Sequence, residues 1–306
     1  RLLTQKNDFR AFVKSRGYLV PEYQTHAVCA EAYEAMESFP FPALLKPVDS
    51  SGSKGVTLME ERPETLADFE TIWDRAMGYS NRKRAILEQK VERSGYQIAG
   101  DGFLLDGKLA FSYFANEHFT RHPNPLVPIG ESFPCIQPRH HLDRLHDISA
   151  DILSGLGMRV GGINFDAMVT ADGDIFVIEL GPRAGGNMIP EVTKLSCGFD
   201  LLSAGVRVAA SLDVDIPTLS GEPRGHYSSY MVHAKSAGIL RHIEIHQDLA
   251  ADIVERRDYA KIGVEVHPYS GANRTVGGLI LRHDSMEQML ARMDNMERYL
   301  TVHVDG

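Results

Sequence analysis

Two carboxylates in the middle of the chain have the spacing of a metal-binding hairpin. Asp166 and Glu179 lie in apolar runs joined by the turn Ala171-Asp172-Gly173, a pattern that predicts two antiparallel strands. In such a hairpin the two acids come nearly opposite each other, and close carboxylates repel unless a cation lies between them. Since Mg²⁺ prefers carboxylate and phosphate oxygens, the pair predicts a magnesium site beside a nucleotide. The alternative is an ordinary hairpin with two solvated acids, but the apolar run Ile175 to Ile178 argues against it.

The segment that follows Glu179 is suited to an anionic ligand. Arg183 offers a planar fork of N–H donors that matches a phosphate. Gly185 and Gly186 carry no side chain, so a ligand or another backbone segment can approach closely there, and Asn187 adds an amide. We therefore expect these residues to bind a transferred phosphate or a substrate.

A lysine and a small-residue loop form a second candidate phosphate site. Lys46 stands near the end of the apolar run Ala43 to Pro47, where it can hold a phosphate as a point charge. The loop behind it offers backbone N–H groups to phosphate oxygens through Ser51, Gly52, Ser53 and Gly55. It lacks the Gly-Lys-Ser/Thr ending of a P-loop, and a strand follows it, so we interpret it as a flap over a nucleotide. A plain surface hairpin loop is the other interpretation.

The elements that must position these residues indicate an α+β protein. Apolar periodicity predicts helices at 7–15, 25–36, 64–76, 142–156, 199–212 and 285–300. It predicts strands at 43–47, 56–59, 85–89, 96–105, 108–115, 161–170 and 174–180. Residues 123–138 hold five prolines, which predicts a long loop.

Composition excludes several classes of function. The net charge of −9 argues against a nucleic-acid partner, because phosphate-backbone binding needs a dense basic face. Three cysteines, far apart and without a CxxC pair, fit a reducing cytoplasm better than a disulfide framework. No apolar run approaches the ~20 residues of a membrane span, so we expect no membrane partner.

The ordered set of motifs resembles the ATP-grasp superfamily. In chain order, the set consists of Lys6, Lys46 with its loop, the segment Glu88 to Val91, Asp166, and the segment Glu179 to Asn187. The resemblance implies an ATP-grasp fold, with two α+β subdomains clasping the nucleotide and a β-rich carboxy-terminal lobe. It places an opening helix at 1–20, the small subdomain at 21–92, the large subdomain at 93–216 and the final lobe at 217–306. We also expect that an amino-terminal lobe precedes residue 1.

The resemblance also implies residue roles, with ATP and Mg²⁺ as cofactors. Lys6 and Lys46 are similar to two lysines that contact ATP phosphates, and the loop from Ser51 to Gly55 is similar to the flap over them. Asp166 and Glu179 match the magnesium ligands, and Arg183 matches an arginine that steadies the transferred phosphate.

The adenosine side and the third metal ligand follow from the same resemblance. The adenine hinge is implied at Glu88, Lys90 and Val91. Gln97 stands where many members carry a glutamate on the ribose, and Gly181 where many carry an asparagine as third metal ligand. Both are departures from the family pattern.

Within the superfamily the chain resembles carboxylate–amine ligases, together with the biotin carboxylase and carbamoyl-phosphate synthase group. The implied function is ATP-dependent activation of a carboxylate as an acyl phosphate, which an amine then attacks. Activation of bicarbonate and a non-catalytic nucleotide-binding module are the alternatives. The expected partners are a small-molecule carboxylate and a small-molecule amine. The resemblance also implies a homodimer, because many relatives dimerise. Candidate substrate contacts are Arg121, His122, Gly185, Gly186, Asn187 and Arg274.

Overall fold

The computed structural model describes residues 2–119, 124–217 and 223–305. The chain divides into two compact units. The first contains Arg1–Ser94 and Met168–Glu179, and the second contains Gly95–Ala167 and Leu180–Gly306. None of the helices in the described residues is long and apolar enough to cross a membrane.

The first unit contains a four-stranded sheet and three helices. Its elements are α1 (Lys6–Ser15), β1 (Tyr23–His26), α2 (Cys29–Ala35), β2 (Ala43–Pro47), β3 (Thr57–Met59), α3 (Leu66–Gly78) and β4 (Ala85–Gln89). The strands are ordered β1-β4-β2-β3, and β4 pairs antiparallel with both β1 and β2. A central position therefore falls to β4, whose residues are nearly all buried.

One face of α3 builds the core of this unit. Thr65 caps the helix by accepting a hydrogen bond from the Asp68 N–H, which satisfies one of the free donors of the first turn. Phe69, Trp73 and Ala76 then follow at helical spacing and are buried against β2 and β4. The packing of this face fixes the sheet that carries Lys46.

The second unit holds most of a large sheet and a small one. Its first strands and helices are β5 (Gln97–Leu105), β6 (Lys108–Phe119), β7 (Pro128–Phe133), α4 (Arg139–Gly155), most of β8 (Gly161–Val169), α5 (Ile189–Cys197) and α6 (Leu201–Ala209), while most of β9 (Ile175–Gly181) belongs to the first unit. They are followed by β10 (His226–His233), β11 (Gly238–Ile245), α7 (Gln247–Ala250), β12 (Ile253–Asp258), β13 (Glu265–Val266), β14 (Thr275–His283), α8 (Met286–Met293) and β15 (Leu300–Asp305).

Strand order places the functional strands at one side of the large sheet. That sheet has eight strands in the order β12-β14-β10-β7-β6-β5-β8-β9, and the small one has the order β13-β11-β15. The strands predicted at 96–105 and 108–115 are confirmed as β5 and β6, which form a hairpin whose turn residues, Asp106 and Gly107, both have positive φ, as a tight hairpin turn requires. The sheet thus presents β5, β8 and β9 side by side.

Two predicted elements differ from the structure. The helix expected at 25–36 is wrong in its first part, because β1 pairs there with β4 and only α2 is helical. The long loop expected at 123–138 is also wrong, because β7 lies inside it between β6 and β10. Pro128 is compatible with a strand because it stands at the first position, where a missing N–H does little harm.

The end of the chain also differs from its prediction. The helix expected at 285–300 stops at Met293, and β15 follows it and pairs with β11. Helix α5 was not predicted, since it is only nine residues long and Pro190 stands in its first turn. Proline is favoured at that place in a helix, where its missing N–H has no partner to lose.

Candidate active site

Two cationic side chains bind one buried carboxylate in the first unit, and a third cation lies within electrostatic range of it. Helix α1 carries Lys6 and Arg10 four residues apart, hence on one face. Strand β2 carries Lys46, and the neighbouring β4 carries Glu88. The Arg10 Nε donates to Glu88 Oε1 at 2.7 Å, and the Lys46 Nζ donates to the other oxygen of the same carboxylate. A further bond from Arg10 Nη1 to the carbonyl oxygen of Ile178, at 2.7 Å, fixes the guanidinium.

Electrostatics keeps Glu88 charged in spite of its burial. Burial alone would raise the pKa of Glu88, but the charges of Arg10 and Lys46 outweigh it and lower the pKa to about 2. Burial also lowers the pKa of Lys6, while the nearby Glu179 acts in the opposite direction and Lys46 adds to the lowering. The metal-ligand candidate Glu179 therefore lies within electrostatic range of a phosphate-binding candidate inside this unit.

The small-residue loop begins at the same place. The Lys6 Nζ donates to the carbonyl oxygen of Ser50, and the Lys6 N–H donates to that of Val48 at 2.8 Å. Along the loop the backbone is left-handed at Gly52, Ser53 and Gly55. A Cβ added at Gly55 would come within 2.9 Å of Tyr79 and 3.0 Å of Pro47, so glycine is required there. The tip of the loop, which includes Ser51, is thus exposed, while its end at Gly55 is closely packed.

The hinge candidates lie just beyond β4. The Lys90 N–H donates to the carbonyl oxygen of Pro42 at 2.9 Å, and its side chain pairs with Glu92 at 2.9 Å. Val91 follows in the same non-helical stretch and is half-buried. The Glu88 side chain is occupied by Arg10 and Lys46, so an adenine contact at this strand end would rest on the backbone of Lys90 and Val91.

In the second unit, Gln97 and Asp166 stand on neighbouring strands. Gln97 begins β5, and its Nε2 donates to a carboxylate oxygen of Glu117 on β6. Asp166 on β8 is paired in register with Ala99 on β5 and is half-buried. The sites assigned to Gln97 and Asp166 stay predictions.

Two further carboxyls, which the sequence did not reveal, lie near Asp166 in the second unit. Burial raises the pKa of Glu131 to about 8, with hydrogen bonds from Asn187 and Ser229 opposing the rise and the charges of Asp166 and Asp101 adding to it. Burial likewise raises the pKa of Asp101 to about 7, against hydrogen bonds from Gly185 and Asn164. These acids form a buried group that favours the arrival of positive charge.

The glycine-rich segment is anchored to that acidic group. The Gly185 N–H donates to Asp101 Oδ1 at 2.8 Å, and the Asn187 Nδ2 donates to Glu131 Oε1 at 3.0 Å. A Cβ added at Gly185 would come within 2.9 Å of Asp101 Oδ1 and of Ile189 Cβ. Around Gly186, by contrast, the described residues leave open space. Glycine is thus needed at the first position for packing and at the second only for access.

Of the remaining candidates, three can be placed and two cannot. Arg183 is exposed, and its Nη1 donates to the carbonyl oxygen of Ala184 at 2.7 Å. Gly181 ends β9, where an added Cβ would meet Asn164 Cβ at an ordinary 3.6 Å. Arg274 is exposed in a 3-10 turn before β14. Arg121 and His122 lie outside the described residues, so their substrate roles stay predictions.

Comparison with known proteins decides the family. The ATP-grasp domain matches residues 39–191, which is half of the chain. The chain belongs to the ATP-grasp family. The matched region includes Lys46, its loop, β4, Asp166 and Glu179, and the predicted family is thereby confirmed.

Curated ATP-grasp relatives are distant and longer than this chain. Carnosine synthase 1 of Homo sapiens is 26% identical over 210 residues, which is 66% of this chain and 25% of that protein. Dapdiamide A synthase of Enterobacter agglomerans is 24% identical over 172 residues, which is 53% of this chain and 38% of that protein. The chain therefore spans less than half the length of these curated relatives.

Solved structures confirm the ATP-grasp fold. The L-amino acid ligase from Bacillus licheniformis is similar with a TM-score of 0.77 at 16% identity, over 99% of this chain and 73% of that one. The biotin carboxylase domain of the Hydrogenobacter thermophilus 2-oxoglutarate carboxylase gives a TM-score of 0.75 at 17% identity, over 99% and 67%. Identities this low establish a shared fold and leave the substrates open.

Three residues beside the candidate site residues escaped sequence reasoning, although two carried a signal. Arg10 stands four positions after Lys6 on the same helix, which predicts a shared face. Asp101 is the single charged residue in the buried strand β5. Glu131 gave no signal, because it lies among the prolines that predicted a loop.

Proposed function

We propose that the protein is an ATP-dependent ligase that activates a carboxylate as an acyl phosphate for attack by an amine. The products are a C–N bond, ADP and phosphate. Membership of the ATP-grasp family supports use of ATP. Similarity to an L-amino acid ligase and to carnosine synthase supports amino acids as the class of substrate.

The observation that carries the proposal is the cationic cluster of the first unit. Arg10 and Lys46 bind the single carboxylate Glu88, and Lys6 donates to the Ser50 carbonyl oxygen at the start of the small-residue loop. Such a cluster has positive charge in excess of its internal partner and is suited to an anion with several oxygens. We propose that the ATP phosphates bind there, with Lys6 and Lys46 as contacts and Ser51 to Gly55 as the flap.

The acidic residues fit a magnesium ion. Asp166 and Glu179 offer hard carboxylate oxygens, the donors that Mg²⁺ prefers. We propose these two residues as the metal ligands. When bound, the ion would neutralise charge on the transferred phosphate oxygens.

The remaining residues position and shield the reacting groups in this proposal. Arg183 is exposed and can turn its fork of donors toward a phosphate. The flap residues Ser51 to Gly55 would exclude water that could otherwise hydrolyse an acyl phosphate. Lys90 and Val91 would present backbone groups to adenine, and Gln97 an amide to the ribose. Gly185 to Asn187, with Arg274, would contact substrate.

An amine acceptor fits the second unit better than bicarbonate does. Asp101, Glu131 and Asp166 place three carboxyls in one region, beside the segment that holds Gly185 and Asn187. An incoming ammonium group would favour the ionised form of these carboxyls and bind to it, whereas a bicarbonate anion would favour their neutral form and gain no ion pair. We therefore favour carboxylate–amine ligation over bicarbonate activation.

The test is ADP release from Mg-ATP, measured while amino acids, other carboxylic acids and bicarbonate are supplied singly and in pairs. We expect stimulation by an amino acid pair or by a carboxylate with an amine. Glu179→Gln should abolish this release, while Asp172→Asn removes a charge from the exposed turn of the same hairpin and should leave it unchanged. Stimulation by bicarbonate alone would contradict the amine-ligase assignment, and ATP turnover unaffected by Glu179→Gln would contradict the magnesium site.

The cellular compartment of the enzyme is proposed from its cysteines. Cys29, Cys135 and Cys197 are all free thiols, which fits our proposal of a reducing, cytoplasmic setting. A homodimer stays a prediction, and sedimentation of the purified protein tests it.

A further inference from the structure

Two histidines and a glutamate lie together on the small sheet of the second unit. Strands β11 and β15 pair antiparallel, with His242 in register with His303. Their rings stack with centroids 4.1 Å apart and planes 10° from parallel. Glu244 lies two residues further along β11 and so on the same face as His242. Its Oε2 is 2.8 Å from His303 Nε2.

The ligand atoms of these three residues are already gathered. One nitrogen of each ring and one carboxylate oxygen all lie within 4.8 Å of one another. Donor atoms bound to one zinc ion at about 2.0–2.2 Å from it are about 3–4 Å apart, so small side-chain rotations suffice to close the site. All three side chains retain solvent access, which leaves room for the ion to enter and for water to complete a tetrahedron.

We propose that His242, Glu244 and His303 form a binding site for a divalent transition metal ion of the zinc type. Two imidazoles and one carboxylate are a donor set that suits Zn²⁺, and imidazole nitrogens do not suit Mg²⁺. The site shares no residue with the magnesium site proposed for the ligase reaction. It stands whether or not that reaction is correctly assigned.

A bound ion would tie an edge strand to the middle of its sheet. The strand order β13-β11-β15 places β15 at the edge, paired to β11 alone within this sheet. The ligands come from both strands, and Glu244 and His303 are 59 residues apart in the sequence. Such a separation explains why spacing along the sequence gives no zinc signature. The ion would therefore act as a clip that holds β15 in register.

The site differs from an ordinary surface ion pair in its second imidazole. A single exposed histidine–carboxylate pair, such as His246 with Asp248 at 3.4 Å, contributes little to stability. In the proposed site two imidazole rings are stacked beside one carboxylate. If both rings were protonated, their positive charges would repel each other. A shared metal ion satisfies the two ring nitrogens and the carboxylate at once, because each ligand binds it in the deprotonated form.

The test is zinc binding to protein that carries no affinity tag. Zn²⁺ affinity is measured by competition with a chromophoric chelator, in excess Mg²⁺ so that oxygen-only sites are filled. Co²⁺ substitution then reports the coordination geometry by absorption. We expect one equivalent bound with tetrahedral absorption bands. His242→Ala, Glu244→Gln and His303→Ala should each weaken binding by at least about tenfold, since even outer partners of a metal site alter affinity by about 10–100-fold.

The matched control is His140→Ala. His140 is an exposed histidine that also stacks on a second histidine, His141, with centroids 4.1 Å apart, and it should not alter zinc affinity. As a second measurement, Zn²⁺ should raise the melting temperature of the wild type and of His140→Ala but not of His303→Ala. Zinc binding that is absent in the wild type, or equally lost in the control, would overturn the proposal.

Discussion

The buried carboxylate Glu88 offers the sharpest test of how the first unit is held together. Its two oxygens accept hydrogen bonds from Arg10 and Lys46, whose side chains are only 1% and 11% exposed. Glu88→Gln keeps the shape of the side chain but removes its charge. Two cations then remain in a region that water hardly reaches. We expect a large loss of stability, because the substitution leaves buried charges without their partner.

The magnitude follows from the pKa of Glu88. Its lowering from 4.5 to about 2 corresponds to about 3 kcal/mol of preference for the charged form. Removing one partner of a buried ion pair destabilises proteins by about 3–5 kcal/mol, which agrees. Because the folded pKa is depressed, this contribution is present above about pH 4.5 and is lost as the pH falls toward 2. At neutral pH the melting temperature of this unit should fall by at least about 10 °C.

The chain carries its own probe for the measurement. Trp73 is the single tryptophan of the sequence and is buried in the core of the first unit. Its fluorescence during heating or urea titration therefore reports unfolding of that unit. The control is Glu92→Gln, which breaks the pair with Lys90 by removing the charge of a side chain that is 73% exposed. Exposed pairs contribute at most about 1 kcal/mol, so this variant should unfold close to the wild type.

A double variant separates charge from packing. If the loss in Glu88→Gln comes from a stranded Lys46, then adding Lys46→Met should destabilise far less than the sum of the two single changes. Equal unfolding midpoints for Glu88→Gln and Glu92→Gln at neutral pH would refute the reasoning. So would a difference between wild type and Glu88→Gln that persists unchanged at pH 2.

Other perturbations test the two glycine segments and the second buried acid. Gly185→Ala should lower ADP release and stability because its Cβ meets Asp101 Oδ1 and Ile189 Cβ at 2.9 Å, whereas Gly186→Ala meets open space and should leave stability unchanged. Gly55→Ala should lower stability more than Gly52→Ala, measured by tryptophan fluorescence, since both have positive φ but only the first meets a packed neighbour. The pKa of Asp101 is raised from 3.8 to about 7, so wild-type stability should fall as pH rises through that range, and circular dichroism should show a smaller fall in Asp101→Asn, where Glu131 alone of the two acids still titrates.

How much the sequence revealed depended on whether a residue's partners were local. The β8–β9 pair of strands was predictable because its turn and its two acids lie within fourteen residues of one another. Lys46 and its loop were predictable for the same reason. Strand β7 was not, since its pairing with β6 and β10 is a tertiary effect that overrides the prolines around it.

The buried acids show the limit more clearly. Asp101 and Glu131 are defined by what surrounds them in space, and a sequence does not display burial of a charged side chain. Of the two oxygens of Asp101, Oδ1 accepts from Gly185, while Oδ2 has no hydrogen-bond partner among the described residues. A neutral, protonated carboxyl accounts for that arrangement, because an ionised oxygen buried without a partner is costly.

The charge balance around Glu88 explains how one cluster can serve both the fold and a ligand. Three cations, Lys6, Arg10 and Lys46, lie near this carboxylate, and Arg10 is also held by a second bond, to the Ile178 carbonyl. If Lys46 turns to a phosphate, Arg10 still compensates Glu88, so no buried charge is stranded. A cluster with only one cation would have to break its ion pair to bind an anion. The additional cation therefore separates the structural task, which falls to Arg10, from the binding task proposed for the lysines.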